Sequence, residues 1–325
     1  MATYKVNKGT PVAFRDGAYP TAYPSPHEGE LFYNGSTGAF QFIGLGVGAW
    51  SSGGALNTGR NSMGGSGSQT ASVCFGGISP ARKDQTETYN GTAWTEVGDM
   101  NSGRSMASSG QSQTAALGFA GNVSDPSPKC ALTELWNGTG WAEVADLNIA
   151  RNNTGGFGTS TAGLCVAGGV PAPIANVEEW NGTSWSEIAD INTARNNGGT
   201  MGVVYTAGLY AGGPPNRAVT ETWNGTSWTE VADLNTGRTG IKGFGSSTSG
   251  VLGGGDPFTA STEIWDGTSW SEGDDYAAAG AQRSCGNGAS SISGFQAGGQ
   301  VSGNNASTAT EEWDFAHSVK TIDVS

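Results

Sequence analysis

Thr220-Glu221-Thr222-Trp223-Asn224-Gly225-Thr226-Ser227-Trp228 reads as the end of one strand, a tight turn and the start of the next. Thr and Trp suit a pleated, half-buried surface. Asn-Gly between strand-like runs is a strong hairpin signal, because a type I′ turn needs positive φ at both central residues. With Asn224-Gly225 as a two-residue loop, Trp223 faces Thr226 and Glu221 faces Trp228. That register predicts both indole rings on one face of the hairpin.

The same nonapeptide pattern recurs along the chain. Trp50, Trp94, Trp141, Trp185, Trp228 and Trp270 follow one another at spacings of 44, 47, 44, 43 and 42 residues. A second aromatic column, Tyr89, Trp136, Trp180, Trp223 and Trp265, stands five residues ahead of the first, and Trp313 ends it. These two columns contain all 11 Trp. A period in this range is the mark of a repeat architecture in which each unit buries its apolar face against the next.

Each unit divides into four short strands. An Arg lies ten residues beyond the first five column Trp (Arg60, Arg104, Arg151, Arg195, Arg238), followed by a Gly/Ser-rich first strand and a more apolar second strand ending in Gly-Gly. After a loop of variable length come Thr-Glu-x-Trp, the Asn-Gly-Thr turn and the fourth strand. A lone four-stranded sheet leaves both faces wet, whereas radial stacking covers them and protects the edges. An indole ring hides roughly 150–250 Å² when buried, at about 25 cal/mol per Å². Gly and Ser in the first strand allow close approach around an axis. The predicted fold is therefore all-β, a six-bladed propeller over residues 50–325 with residues 1–49 as a small N-terminal attachment segment. Two strands are candidates to complete the sixth blade: the one at Trp50, beside Trp313, or the C-terminal stretch Val319–Val324.

Composition agrees with an ordered β protein. Gly is abundant (55 of 325 residues), but 11 evenly spaced Trp supply the aromatic surface that disordered chains lack. A formal net charge of −13 argues against nucleic acid as a partner, since phosphate backbones require a basic surface. The N-terminus has no secretory pattern and no apolar run approaches the length of a membrane span, so a soluble protein made in the cytoplasm is expected, without membrane insertion. Cys74, Cys130, Cys165 and Cys285 form no CxxC pair and are expected to be idle thiols.

Taken together, Arg before the first strand, Gly-Gly closing the second, Glu-x-aromatic-Asn/Asp in the third and Trp in the fourth resemble the kelch repeat over residues 50–313. Ala120-Gly121 departs from the Gly pair, the last Arg is delayed to Arg283, and Trp313 lacks its Gly-Thr-x-Trp continuation. In kelch-like rings a blade shared between the two chain ends is common. Outside the array, Glu28-Gly29-Glu30-Leu31-Phe32-Tyr33-Asn34, a hairpin around Asn34-Gly35, and Gly38-Ala39-Phe40 resemble segments of structural proteins of tailed, particularly marine, bacteriophages. Those proteins also carry degenerate Asn-Gly-Thr-x-Trp propellers. This resemblance implies a non-enzymatic virion protein, a tail fibre or other surface appendage. Its partners would be other virion proteins through residues 1–49 and a host-surface glycan or protein, and a homo-oligomer is compatible with it. The alternatives are a cytoplasmic kelch-type interaction scaffold and a carbohydrate-active propeller.

Catalytic constellations are sparse. His27 and His317 are the only His and lie outside the main array, so neither a zinc signature nor a His-based triad is expected inside it, and no metal or cofactor is expected. Copper-containing kelch oxidases need ring-borne His ligands. Asp266-Gly267-Thr268-Ser269-Trp270 approaches a sialidase box but is one residue short. Glu87, Glu134, Glu178, Glu221, Glu263 and Glu311 recur in every unit, whereas an acid–base pair needs two distinct environments, so a structural contact with the Arg column is the expectation. The Arg column is expected to bond carbonyls between blades, with ligand binding as the lesser alternative. The sequons at Asn90, Asn137, Asn181 and Asn224 are read as turns.

Loop lengths sort the two faces. From the closing Gly to the third-strand Glu the intervals are 9, 12, 8, 7, 7 and 11 residues, while the Asn-Gly-Thr turns keep one length. Binding concentrates on variable loops held by a rigid frame. The candidate binding face therefore carries Arg82, Lys83, Asp125, Lys129, Pro171, Pro173, Asn216, Arg217, Asp256, Phe258, Asn304 and Asn305.

Overall fold

The computed structural model describes residues 4–5, 11–15, 31–34, 38–123, 129–277, 285–301 and 305–322, with side chains unassigned at some strand positions. Every helix or strand among them is a strand. Two compact units result: Trp50–Asp314, and Met1–Ala49 with Phe315–Ser325.

The larger unit is a six-bladed β-propeller. Blade 1 comprises Gly64–Ser68, Ala71–Phe75, Thr86–Tyr89 and Trp94–Val97, hydrogen-bonded in chain order, and blades 2 to 5 repeat that order. The inner strands form a closed circle. Gly64–Ser68 packs beside Ser105–Ser112, followed in turn by Gly155–Gly158, Gly199–Val204, Lys242–Ser246 and Cys285–Ser290, which returns to Gly64–Ser68. Gly makes this crowding feasible: a Cβ on Gly110 would stand 2.3 Å from Ser66 Oγ of the neighbouring inner strand.

The hydrophobic cores lie between blades. Val73 and Phe75 of blade 1 cluster with Ala116 and Trp136 of blade 2, and Leu117 and Phe119 of blade 2 with Trp180 and Trp185 of blade 3. Five outer-strand Trp reach back to a Phe of the preceding blade: Trp141 to Phe75 at 4.5 Å, Trp185 to Phe119 at 5.1 Å, Trp228 to Phe157 at 6.3 Å, Trp94 to Phe295 at 5.8 Å and Trp50 to Phe244 at 6.1 Å, while Trp270 packs with Met201 and aliphatic residues. Edge-on contacts of this kind add to simple area burial.

The hairpin register differs from the sequence expectation. Trp223 pairs directly with Trp228 and Glu221 with Glu230, leaving a four-residue loop over 224–227. Asn224 Oδ1 accepts the N–H groups of Thr226 and Ser227, each at 2.9 Å, and Gly225 has φ of 92°. Asn224 is absent from the left-handed region that a type I′ turn would require, because its side chain closes the turn in place of a backbone carbonyl. Both rings still share one face, 5.4 Å apart between centroids. Asn90, Asn137 and Asn181 make the same turn, as does Asp266 in blade 5.

The strand at Trp50 completes blade 6. Cys285–Ser290, Ser293–Ala297, the start of Thr310–Thr321 and the end of Ala39–Ser52 are adjacent in that order. Gly53 N–H donates to Thr310 O at 2.9 Å, and the Trp50 and Trp313 rings stand 5.1 Å apart. Residues 319–321 belong to the same strand as Trp313, so the C-terminal stretch is no separate closing strand.

In the smaller unit, Pro11–Arg15 pairs antiparallel with Tyr4–Lys5 and parallel with Leu31–Asn34, and Leu31 to Asn34 pair antiparallel with Phe42 to Ala39. The two arms of the expected hairpin are therefore paired, and the turn between them, 35–37, lies outside the described residues. Phe315–Ser325 groups with Met1–Ala49, where the sequence reading had kept it in the propeller, because Thr310–Thr321 continues beyond Asp314 and Ile322 N–H reaches Phe40 O at 2.8 Å.

Candidate functional site: the variable-loop face

The loops between second and third strands leave the blades from a common turn. In blade 1, Gly76 and Gly77 have φ of 65° and 104°. The second Gly is obligatory, since a Cβ on Gly77 would lie 2.7 Å from Asn61 O. The first position tolerates a side chain: Ala120 and Ala167 both occupy it at φ of 58°. Blade 3 therefore uses Ala167-Gly168 as the turn, one residue earlier than the Gly168-Gly169 pair suggests.

This turn locks neighbouring blades. Gly77 N–H donates to Arg104 O, Gly121 to Arg151 O, Gly168 to Arg195 O, Gly213 to Arg238 O and Gly299 to Arg60 O, at 2.8–3.2 Å. The Arg backbones thus carry the links between blades, including that between blades 6 and 1. The Arg side chains do something else. They turn into their own blade, correcting the expectation that guanidinium groups bridge carbonyls between blades.

Blade 3 shows the pattern. Arg151 Nη2 donates to Glu178 Oε1 at 2.9 Å and Nη1 to Asn176 O at 2.7 Å. Asn148 donates both its backbone N–H and Nδ2 to Glu178 Oε2 at 2.8 Å, and Nδ2 also reaches Trp185 O at 3.1 Å. The pairs Arg60–Glu87, Arg104–Glu134, Arg195–Glu221 and Arg238–Glu263 repeat it, with side chains 0–1% exposed. Burial pushes the Arg60 guanidinium below its ordinary value, and Glu87 opposes that shift. A buried charge is tolerable when it is paired, and here the pairing runs through the Nη atoms, while Nε of Arg104, Arg151, Arg195 and Arg238 has no partner among the described residues. These five carboxylates and guanidiniums are committed inside the blades and cannot meet a ligand at the surface, so the ligand-binding alternative for the Arg column falls.

The Asn three residues before each Arg was missed by the sequence reading, although Asn57, Asn101, Asn148, Asn192 and Asn235 recur as regularly as the Trp columns. So do the apolar residues before them, Leu56, Met100, Leu147, Ile191 and Leu234, all buried. Blade 6 departs: Tyr276 takes the apolar place, and Ala277 supplies only its backbone N–H to Glu311 Oε2. Arg283 lies outside the described residues.

Above this frame the loops differ. Blade 1 raises a small hairpin, Ile78–Ser79 with Ala81–Arg82, and Lys83 N–H ties it to Gly77 O at 2.9 Å. Lys129 bridges Asn122 in blade 2. In blade 3 the two strands extend to an exposed Pro171-Ala172-Pro173 tip. In blade 4, Asn216 is exposed in the left-handed region at φ of 61°, and Arg217 N–H donates to Gly213 O at 2.7 Å. In blade 5, Asp256 exchanges backbone hydrogen bonds with Thr239, and Phe258 is 41% exposed. Blade 6 raises Gln300–Val301 with Asn305–Ala306. Asp125, Asn304 and the Asn305 side chain lie outside the described residues. The described candidates thus share the Gly-closed end of the propeller, on separate loops.

No protein-family model matches this chain, and no curated protein matches it. Among solved structures, one titled "Structure of YjhT" is similar at 11% sequence identity with a TM-score of 0.65, covering 82% of this chain and 99% of that one. At that identity the likeness carries the six-bladed propeller fold alone.

Proposed function

We propose that this chain is a non-enzymatic, kelch-like structural protein of a bacteriophage virion, with residues 1–49 attaching it to other virion proteins and the variable-loop face meeting a host-surface glycan or protein. The observation that carries the reading is the division of the propeller into an invariant interior and one irregular face. In blades 1 to 5 the Arg column and the third-strand Glu column are consumed in dry Arg–Glu–Asn units, the other recurring carboxylates, such as Glu143 and Asp146, stand exposed at equivalent places in each blade, and variation is left to the loops after the Gly turn. A frame that spends its buried carboxylates on itself and repeats its exposed ones identically from blade to blade suits presentation of a surface rather than acid–base chemistry, which needs two distinct environments. The bacteriophage assignment rests on the Glu28–Asn34 and Gly38–Phe40 resemblance and on the Asn-Gly-Thr-x-Trp blades.

Mass spectrometry and antibody labelling of purified particles test it. Peptides from this chain in particles, with label on a surface appendage, are the expected result. Absence from particles that contain the other products of the same genome overturns it. Recovery in soluble complexes with cellular proteins would favour the cytoplasmic scaffold reading instead.

A further inference from the structure

The described Lys and Arg of the propeller fall into two groups. Arg60, Arg104, Arg151, Arg195 and Arg238 are paired with Glu inside the blades. The others, Arg82, Lys83, Lys129, Arg217 and Lys242, all stand at the Gly-closed end. The first four are in loops that follow the turn pairs, and Lys242 lies opposite Gly253, the residue before the Gly254-Gly255 turn. In a chain of net charge −13 this is a segregation. The recurring exposed carboxylates, such as Glu143 and Asp146, lie on or just after the outer strands at the perimeter, and the loops after the turn pairs hold only Asp84 and Asp256 among the described residues.

Lys242 breaks the rule of its own repeat. Gly64, Gly155 and Gly199 hold the equivalent place, each opposite the last residue before its turn pair. A Cβ there would stand 2.6 Å from the Phe75 ring, 2.3 Å from Thr200 Cγ2 and 2.7 Å from Leu252 Cδ2, respectively. Blade 5 puts a lysine where these blades have no side chain, and among the described residues no carboxylate pairs with it. The polar groups across the junction to blade 6 are neutral and already engaged: Gln296 Nε2 donates to Lys242 O at 2.8 Å, and Gln296 Oε1 accepts the Tyr276 hydroxyl. Burial lowers the Lys242 ammonium below its ordinary value with nothing to oppose the shift, whereas Glu87 opposes it for Arg60. A desolvated cation without a counter-ion is a cost to the fold, and a departure of this kind from a repeat's own pattern marks function. The side chain is still partly exposed, so an anion can reach it from solvent. The described thiols take no part: Cys130 and Cys165 are buried, and Cys74 is buried and disulfide-bonded, which corrects the expectation that it is idle.

We propose that the Gly-closed end of the propeller receives a glycan carrying carboxylate or sulfate groups, with Lys242 holding one acid group and Lys83, Lys129 and Arg217 meeting others from the loops. The inference rests on the reading of the variable-loop face as the binding face, and it names the ligand class. Phe258, 41% exposed and in the same blade as Lys242, offers an apolar surface to a sugar ring, and the exposed Asn216 offers an amide to hydroxyl groups. Cations spread over blades 1, 2, 4 and 5 suit a chain whose charges are spaced by uncharged sugars. The perimeter carboxylates and the net charge oppose a dense polyanion such as nucleic acid.

Isothermal titration calorimetry of the full chain tests it with hyaluronan oligosaccharides, which carry only carboxylate, keratan sulfate oligosaccharides, which carry only sulfate, and uncharged chitin oligosaccharides. Binding of at least one charged probe, weakened by added salt, and none of the uncharged probe is the expected result. The charged probe that binds distinguishes carboxylate from sulfate. Lys242→Met should weaken that binding by about 10- to 100-fold. Its thermal midpoint should be unchanged or higher, because an uncompensated charge has been removed, so a loss of affinity is not a loss of folding. Lys83→Gln, Lys129→Gln and Arg217→Gln should each weaken binding by roughly 2- to 5-fold. No binding of either charged probe, equal binding of the uncharged one, or full affinity in Lys242→Met would overturn the proposal, as would an oligoglutamate peptide that binds more tightly than both glycans. Such a failure with the chain still present on particles removes the ligand class and leaves the virion reading standing.

Discussion

Replacing Val177 with Thr should stabilise the propeller. The outer-strand indoles donate to a Thr hydroxyl of the preceding blade: Trp94 to Thr310 and Trp141 to Thr86 at 2.9 Å, Trp50 to Thr262 at 3.0 Å, and Trp185 to Thr133 at 3.1 Å. Trp270 uses Ala232 O instead, at 3.1 Å. Trp228 is buried and its Nε1 has no partner among the described residues, because blade 3 has Val177 at the place of the Thr. An orphaned buried donor costs about 1–3 kcal/mol. Val and Thr have nearly the same volume, and the new hydroxyl could donate to Ala175 O, as the Thr133 and Thr220 hydroxyls do to Ala131 O and Ala218 O at 3.4 Å. After the desolvation of that hydroxyl, a net gain of about 1 kcal/mol is expected, or roughly 2–4 °C in midpoint for a domain of this size. Urea and thermal unfolding followed by tryptophan fluorescence measure it, with Thr133→Val as the reverse experiment, expected to lose about 1–3 kcal/mol. A less stable Val177→Thr together with a neutral Thr133→Val would show that the indole–hydroxyl bond is not a stabilising part of the blade junction.

Arg151→Met should cost about 3–5 kcal/mol by stranding Glu178 in a dry site, and Arg151→Met/Glu178→Leu should recover much of that loss in urea unfolding. Gly77→Ala should destabilise by roughly 1–3 kcal/mol, because φ of 104° and the nearby Asn61 O both oppose a Cβ, whereas Gly76→Ala should be milder, since Ala occupies that place in blades 2 and 3. Asp266 is held at a pKa of about 2, chiefly by the Thr268 hydroxyl and then by the Ser269 and Thr268 N–H groups. A depressed carboxylate contributes stability above its unfolded value, lost as pH falls through the folded one. Acid titrations of stability should therefore lose a component between about pH 4 and pH 2, and Asp266→Asn, which restores the Asn of the other turns, should remove it. Cys165, pushed up to about 11 by burial, should resist alkylation in the native protein at pH 8 and react on unfolding.

Much of this architecture is legible in one dimension because it repeats. Two columns of aromatic residues, the Arg column and the paired Gly recur at a fixed period, and a period that long with strand-like content leaves radial stacking as the way to bury the rings. The strand order within a blade and the common end from which the variable loops emerge follow from that. The Asn of the Arg–Glu–Asn unit was equally periodic, yet Asn in a segment such as Asn57-Thr58-Gly59 resembles ordinary turn chemistry, and its role is seen only when Glu178 is found with both oxygens occupied.

What the chain alone determined, then, is the fold, the number of blades and which residues face inward, since these depend on local periodicity and on burial that any stacked arrangement must satisfy. Tertiary structure alone decided the rest. The four-residue turn register depends on an Asn side chain replacing a carbonyl, the choice of the Trp50 strand over the C-terminal one depends on which edge meets Thr310, and the division between Arg backbone and side chain depends on neighbours 25 or more residues away. Contacts between residues distant in sequence carry no local pattern, so only the closed ring reveals them.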